Sequence, residues 1–174
     1  GEPVALSCTG ATASRNYVSG LTEAYYRKLP VLAITSHQGT DRIGQLIFQN
    51  IDRRNIPNDI AQISVELPVV KDERDEAYVT MEANKAILEL FRNGGGPAHI
   101  NIFTTYSPDF SVKELPKVRA FKRFFAWDTL PEIPEGKVCV YVGSHVRFNE
   151  RQVKAIDRFC ATYDAVVVCD HTSG

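Results

Sequence analysis

The sequence predicts an α/β protein, and three observations carry that expectation. Short aliphatic runs alternate with segments of helical spacing. Most of those runs are continuous rather than alternating, the pattern of parallel strands covered on both faces. After a Pro-rich interval the strand–helix–strand order returns once more. The expected architecture is a parallel sheet with helices on both faces over residues 1–103, a linker over 104–136, and one βαβ unit of a second α/β domain over 137–174.

The elements follow in order. Val4 to Thr9 reads as a strand. Ser14 to Lys28 reads as a helix, because Val18, Leu21 and Ala24-Tyr25 fall at three- and four-residue spacing, and Pro30 closes it. Val31-Leu32-Ala33-Ile34-Thr35 is a second strand. Thr40 to Arg53 reads as a short helix with Ile43, Ile47 and Ile51 on its core face. Ala61–Leu67 is a third strand, and its alternation of Ile63, Val65, Leu67 with Gln62, Ser64, Glu66 predicts one wetter face. Asp75 to Arg92 is the clearest helix, with Ala77, Met81, Asn84, Leu88 and Phe91 in one stripe. The run Asn93-Gly94-Gly95-Gly96-Pro97 ends it, since glycine supplies a left-handed cap. His99–Phe103 is the fourth strand.

From Thr104 to Gly136 no clean period survives, and Pro108, Pro116, Pro131 and Pro134 punctuate the stretch. It reads as a linker with one short helix near 118–125. Val138–Val142 is then a strand. Asn149 with Gln152 three residues on forms a capping box for a helix whose apolar face is Val153, Ile156, Phe159-Cys160 and Tyr163. Ala165–Cys169 is the last strand, read as buried. Strand-type runs lie close to both ends, so the chain reads as a piece of a longer polypeptide. Its first run lacks the charged-then-apolar build of a signal peptide.

Charge is balanced, 20 Lys and Arg against 21 Asp and Glu. That leaves no electrostatic footprint for a nucleic acid or an anionic membrane. No apolar run approaches ~18 residues, so no spanning helix is expected. Cys8, Cys139, Cys160 and Cys169 lack C-x-x-C spacing and read as reduced, buried thiols of a cytoplasmic protein. His37, His99, His145 and His171 are unpaired at helical spacings, so no metal site is expected. Cys169-Asp170-His171 reads as a strand-end loop, because neighbours on a strand point to opposite faces. No dinucleotide fingerprint, phosphate loop or nucleophile elbow occurs.

One segment is more specific. Thr9-Gly10-Ala11-Thr12-Ala13-Ser14-Arg15-Asn16 is small and polar, leaves the carboxyl end of a strand and enters a helix. Ligands of open parallel sheets bind at that edge. Small residues let a flat ligand approach the backbone, and a helix start offers unpaired N–H groups.

The stretch Asn16-Tyr17-Val18-Ser19-Gly20-Leu21-Thr22-Glu23-Ala24-Tyr25, running on through Pro30 to Thr35, resembles the pyrimidine-binding domain of thiamine-diphosphate-dependent enzymes. Ile43-Gly44 with Phe48-Gln49 and Asp52, and the strand Gly96-Pro97-Ala98-His99-Ile100-Asn101-Ile102, are similar to two further blocks of the same enzymes. The blocks fall in family order and cover residues 1 to about 103. The region 104–136 then corresponds to a linker, and 137–174 resembles the start of the central domain. The family includes acetolactate synthases, pyruvate oxidases and other 2-oxo acid decarboxylases. Two features depart from the common pattern. The loop 10–16 lacks the family's paired glycines, and is closer to that of the menaquinone-pathway succinyl-enolpyruvyl-cyclohexene-carboxylate synthases. That branch usually carries Asp-Arg-Pro after the second strand, where this chain has Ser36-His37-Gln38.

The resemblance implies a thiamine-diphosphate- and Mg²⁺-dependent decarboxylase, carboligase or transferase acting on a 2-oxo acid, as a cytoplasmic homodimer or tetramer. Thr9, Gly10, Ala11 and Thr12 would line the pyrimidine. Gln49, and with it Gln45, would face the reacting centre and orient the substrate. The family's activating glutamate lies upstream of the first strand here, and its Gly-Asp-Gly diphosphate motif does not occur in the chain. The piece alone is therefore expected to bind no cofactor and to be inactive. A non-catalytic structural or regulatory relative is the alternative that the altered loop raises.

Overall fold

A computed structural model describes residues 2–173 of the chain. The chain forms two compact units, Gly1–Arg123 and Phe124–Gly174. In the first, β1 (Val4–Cys8), α1 (Tyr17–Tyr26), β2 (Val31–His37), β3 (Ile63–Leu67), α2 (Glu73–Glu89) and β4 (Ala98–Phe103) follow one another. The four strands form one sheet of order β1-β2-β4-β3, with every neighbouring pair parallel.

Alternation along the strands gives this sheet two unlike faces. Under α2 the face is aliphatic: Val65, Leu67, Ala98 and Ile100 pack with Ala86 and Leu90, and Leu32, Ile63 and Ile102 join them. Each fully buried Val, Leu or Ile here contributes about 1.5–3 kcal/mol of transfer free energy. On the other face Leu21 of α1 packs with Ala33 and Ile60. Beside them the same face turns polar, with buried Thr35, His99 and Asn101. Helices thus cover both faces, as the aliphatic runs predicted.

Local chemistry sets the ends of α2. Asp72 caps it by accepting from the Asp75 N–H at 2.9 Å, and Glu73, Asp75 and Glu76 place negative charge at the positive end of the helix dipole. The helix stops at Glu89, before a left-handed Asn93 (φ 50°) and the glycines beyond it. Gly95 is required there: its φ is 92°, and a Cβ would lie 2.9 Å from Leu90 O and 3.1 Å from Lys28 O. The first helix is likewise shorter than its pattern. Residues Ala11–Asn16 form a 3₁₀ turn before α1, and a left-handed Lys28 (φ 57°) follows the helix, ahead of Pro30.

The expected helix over 40–53 does not form. A 3₁₀ turn at Thr40–Arg42 is followed by irregular chain with positive φ at Gly44, Leu46 and Gln49. Ile43, Ile47 and Ile51 are only half-buried, outside both apolar clusters. The segment is shaped instead by polar bonds to the loop after β2 and to the strands. Asn50 donates to Gly39 O at 3.0 Å, and Arg53 reaches into the sheet to Asn101 of β4.

The short helix expected near 118–125 is also absent. The part of this stretch up to Arg123 lies against α2 and is held by Asn84, whose Nδ2 donates to Arg119 O at 2.9 Å and whose Oδ1 accepts from the Phe121 N–H at 2.7 Å. Arg123 adds bonds to Leu88 O and to Glu89. Those side chains take up backbone groups that a helix would have paired internally.

The second unit holds β5 (Cys139–Val142), α3 (Glu150–Tyr163) and β6 (Val166–Cys169), with β5 and β6 parallel in a two-stranded sheet. Asn149 and Gln152 form the expected capping box. The expected burial of β6 is not met: all four residues are exposed, and so is Cys139. Two strands and one helix leave a sheet face uncovered. The four cysteines are free thiols, and Cys8 and Cys160 are only partly covered. Asp170 builds the strand-end loop, accepting from Thr172 N at 2.7 Å and from Tyr141 Oη at 2.9 Å. Among the described residues no helix is long and apolar enough to cross a membrane.

Candidate functional site

The loops that leave β1, β2 and β4 emerge together at the carboxyl edge of the sheet. The loop after β1 contains Thr9, Gly10, Ala11 and Thr12. Gly10 is buried, whereas Thr9 and Thr12 are exposed; the side chain of Ala11 lies outside the described set. Gly10 has an ordinary negative φ of −56°, so conformational freedom does not explain it. Close approach does. A Cβ at this position would overlap the Gln49 carbonyl oxygen and meet Ser36 O at 3.0 Å. The structure therefore brings the two candidate segments together: the 9–12 loop and Gln49 are in backbone contact over the end of β2.

Gln49 is exposed and sits in the left-handed region at φ 56°. A non-glycine residue there is held by its surroundings, and such residues cluster at functional sites. Gln45 has a local use, since its Nε2 donates to Asp41 O at 2.8 Å across its own turn.

Beneath this edge lies a buried polar network that the sequence pattern did not announce. Arg53, 6 % exposed, donates from Nη1 to Ser14 Oγ at 3.0 Å, and from Nη2 to Asn101 Oδ1 at 3.1 Å and to Ser36 O. Thr35 Oγ1 donates to Asn101 Oδ1 at 2.9 Å and shares a 2.8 Å bond with His99 Nε2. Ser64 Oγ lies 2.7 Å from His99 Nδ1. Burial, reinforced by the Arg53 charge, pushes the His99 pKa down to about 4. His99 is thus a neutral, satisfied strand histidine, as its sequence context suggested. Arg53 ties the Ser14 end of the first loop, the end of β2 and β4 into one block beneath Gly10 and Gln49. Arg15 Nη2 adds a 2.7 Å bond to Asp52 O. The alternation Thr35, His37 in β2 and His99, Asn101 in β4 was the available sequence signal for a polar face. Arg53 itself read as the charged end of a helix.

Next to the 9–12 loop is a cavity of about 430 Å³ whose lining combines Ser7, Thr9, Ser36 and Thr104 with Ile34 and Ile102. Hydroxyls and backbone groups beside aliphatic side chains suit a flat nitrogen heterocycle, so these residues fit the pyrimidine end of the implied cofactor. They do not fit its metal-bound end. Among the described residues no group of three or more His, Cys, Asp or Glu could hold an ion.

No family model matches the chain. It is similar to proteins named 2-succinyl-5-enolpyruvyl-6-hydroxy-3-cyclohexene-1-carboxylate synthase. The one from Bacteroides thetaiotaomicron is 35% identical over 125 residues, 71% of this chain and 22% of that protein. The one from Phocaeicola vulgatus is 34% identical over 125 residues, again 71% of this chain and 22% of the relative. The one from Christiangramia forsetii is 31% identical over 152 residues, 77% of this chain and 24% of the relative. The chain therefore spans between a fifth and a quarter of the length of these relatives.

Proposed function

Since this chain belongs to the thiamine-diphosphate-dependent enzyme family, we propose that it forms the pyrimidine-binding wall of an enzyme acting on a 2-oxo acid. The finer proposal is a synthase of the menaquinone-pathway branch, because every relative named above carries that activity in its name. One observation carries the reading: Gly10 of the 9–12 loop and the Gln49 backbone approach each other closely at the sheet edge where ligands of this architecture bind.

The bound cofactor would supply a nucleophilic carbon that adds to the 2-oxo acid and accepts the electron pair left by decarboxylation. The work of this chain is positioning. Ser7, Thr9, Ser36 and Thr104 would hold the pyrimidine ring at the sheet edge. Gly10 lets the 49 segment lie directly on the loop. Gln49 then presents a carboxamide to the polar atoms of the substrate. Its N–H groups donate to a carboxylate or to a developing oxyanion, and such bonds strengthen as charge builds in the transition state. Residues outside these 174 would hold the diphosphate and Mg²⁺ and supply the activating carboxylate, and two subunits would complete the site. This chain alone is expected to be inactive.

The test is Gln49→Ala in the full-length protein. Alanine keeps a Cβ at the strained position, so folding should change by no more than about 0.5 kcal/mol, as for an exposed residue. Loss of the oriented donor should lower kcat by roughly 10²–10³. Near-wild-type kcat, or a loss matched by the shift in urea midpoint, would return Gln49 to the class of ordinary surface residues. It would also leave the loop contact without a catalytic purpose.

A further inference from the structure

We propose that Arg53 is a positioning residue for the reaction, its buried guanidinium holding the Gln49 segment where the Gln49 carboxamide meets the substrate. The inference rests on the reading of Gln49 given above. Arg53 is 6 % exposed, and its three acceptors among the described residues are all neutral: Ser14 Oγ at 3.0 Å, Asn101 Oδ1 at 3.1 Å and Ser36 O. Burying a cation on neutral acceptors is unfavourable beside an apolar side chain of similar volume. What the guanidinium adds is a rigid fork whose N–H groups hold several pieces of chain at once. The three acceptors lie on three such pieces: the turn Ala11–Asn16, the end of β2, and β4.

Those pieces surround the contact between Gln49 and the first loop. A Cβ at Gly10 would overlap the Gln49 carbonyl oxygen and stand 3.0 Å from Ser36 O, the same carbonyl that accepts from Arg53 Nη2. Arg15 Nη2 donates to Asp52 O at 2.7 Å. Residues 10–15 and 49–53 thus meet at three successive points: Gly10 with Gln49, Ser14 with Arg53, and Arg15 with Asp52. The Arg15 bond is exposed, whereas the bond from Arg53 to Ser14 is buried, where a hydrogen bond is electrostatically stronger. Gln49 needs such a hold. Its φ of 56° is left-handed, a conformation that a non-glycine residue keeps when its surroundings impose it. Asn50, next in the chain, bonds to the loop after β2 through Gly39 O at 3.0 Å, and Arg53 carries the segment onward to the sheet and the first turn.

The experiment is a double-mutant cycle in the full-length protein with cofactor saturating, read as CO₂ release from pyruvate and from 2-oxoglutarate. Arg53→Lys keeps the charge but loses the fork, and should lower kcat about tenfold or more, since a misplaced group forfeits its orientation. In a Gln49→Ala background it should cost less than about twofold further, because the group it positions is already gone. A merely structural residue would cost the same factor in both backgrounds. A second readout needs no turnover. In the cofactor-free protein an arginine-specific protease should cut after Arg15 and Arg54, beside the contacts, several-fold faster in Arg53→Lys, with cleavage after Arg27 and Arg92 unchanged. If Arg53→Lys does not fold, Ser14→Ala removes one acceptor of the same fork and takes its place, with a smaller loss of kcat and the same non-additivity expected. Equal losses in the two backgrounds, or unchanged cleavage after Arg15 and Arg54, would overturn the proposal. Wild-type kcat in Gln49→Ala would instead overturn the reading of Gln49 itself, and the proposal with it.

Discussion

His99 shows how one residue records its surroundings. Both ring nitrogens are engaged by hydroxyls, at 2.8 and 2.7 Å, and Arg53 stands nearby. The unfolded chain would protonate this ring near pH 6.5, while the folded one does so only near pH 4. The unfolded state therefore binds the extra proton between those values. The contribution of His99 is intact above about pH 6.5, falls as pH drops toward 4, and levels off below that. Over that window the loss is on the order of 3 kcal/mol, since each pH unit between the two values is worth about 1.36 kcal/mol. Urea midpoints measured from pH 7.5 to 4 should show this decline, and His99→Gln should flatten it. A variant whose acid limb runs parallel to wild type would place the proton uptake elsewhere. His99 was readable in the sequence as a strand histidine. Arg53 was not, because a cation in an apparent helix turn carries no sign that it will be drawn under a sheet.

At the scale of elements, Asn84 decides what becomes of the chain after β4. In the helical pattern of α2 it falls on the apolar stripe, where an amide is out of place. The structure explains it, since its two amide atoms hold the backbone of Arg119 and Phe121. Two such bonds contribute about 1–3 kcal/mol together. Asn84→Ala should therefore free the 104–123 stretch while leaving α2 itself helical. Limited proteolysis should cut that stretch several-fold faster in the variant, with the strand core still protected. Equal cleavage rates would mean that Arg123 and the adjacent packing hold it without Asn84. The failed helix over 40–53 teaches the same lesson. Isoleucines spaced by four satisfied the period, but Asn50 found its partner in the loop just after β2 and Arg53 found partners on the strands. Polar bonds to the sheet outweighed an isolated helix of marginal length.

For the molecule as a whole, the two units differ in how much they bury. The first has four strands between two helices, with Ala33, Ala86 and Ala98 fully buried. The second has two strands and one helix, and β6 is exposed along its length. A two-stranded sheet packed on one side is marginal by itself. Amides of β5 and β6 should exchange with deuterium about tenfold or more faster than those of β2 and β4, read by mass spectrometry on this chain. Equal protection would show that the second unit has a core that its exposure conceals.

The local pattern by itself determined the six strands, their parallel direction and their division into two sheets, because runs of β-branched and aliphatic residues with helical segments between them admit few other arrangements, while the order β1-β2-β4-β3 came from the tertiary structure. It also located the 9–12 loop at the edge where ligands bind, since that follows from chain direction alone. Tertiary structure decided the rest. Whether the Gly10 backbone touches Gln49 and which side chains Arg53 joins depend on atoms tens of residues apart. Periodicity describes one element at a time, whereas hydrogen bonds in a low-dielectric interior are made between elements and can override the local preference of either.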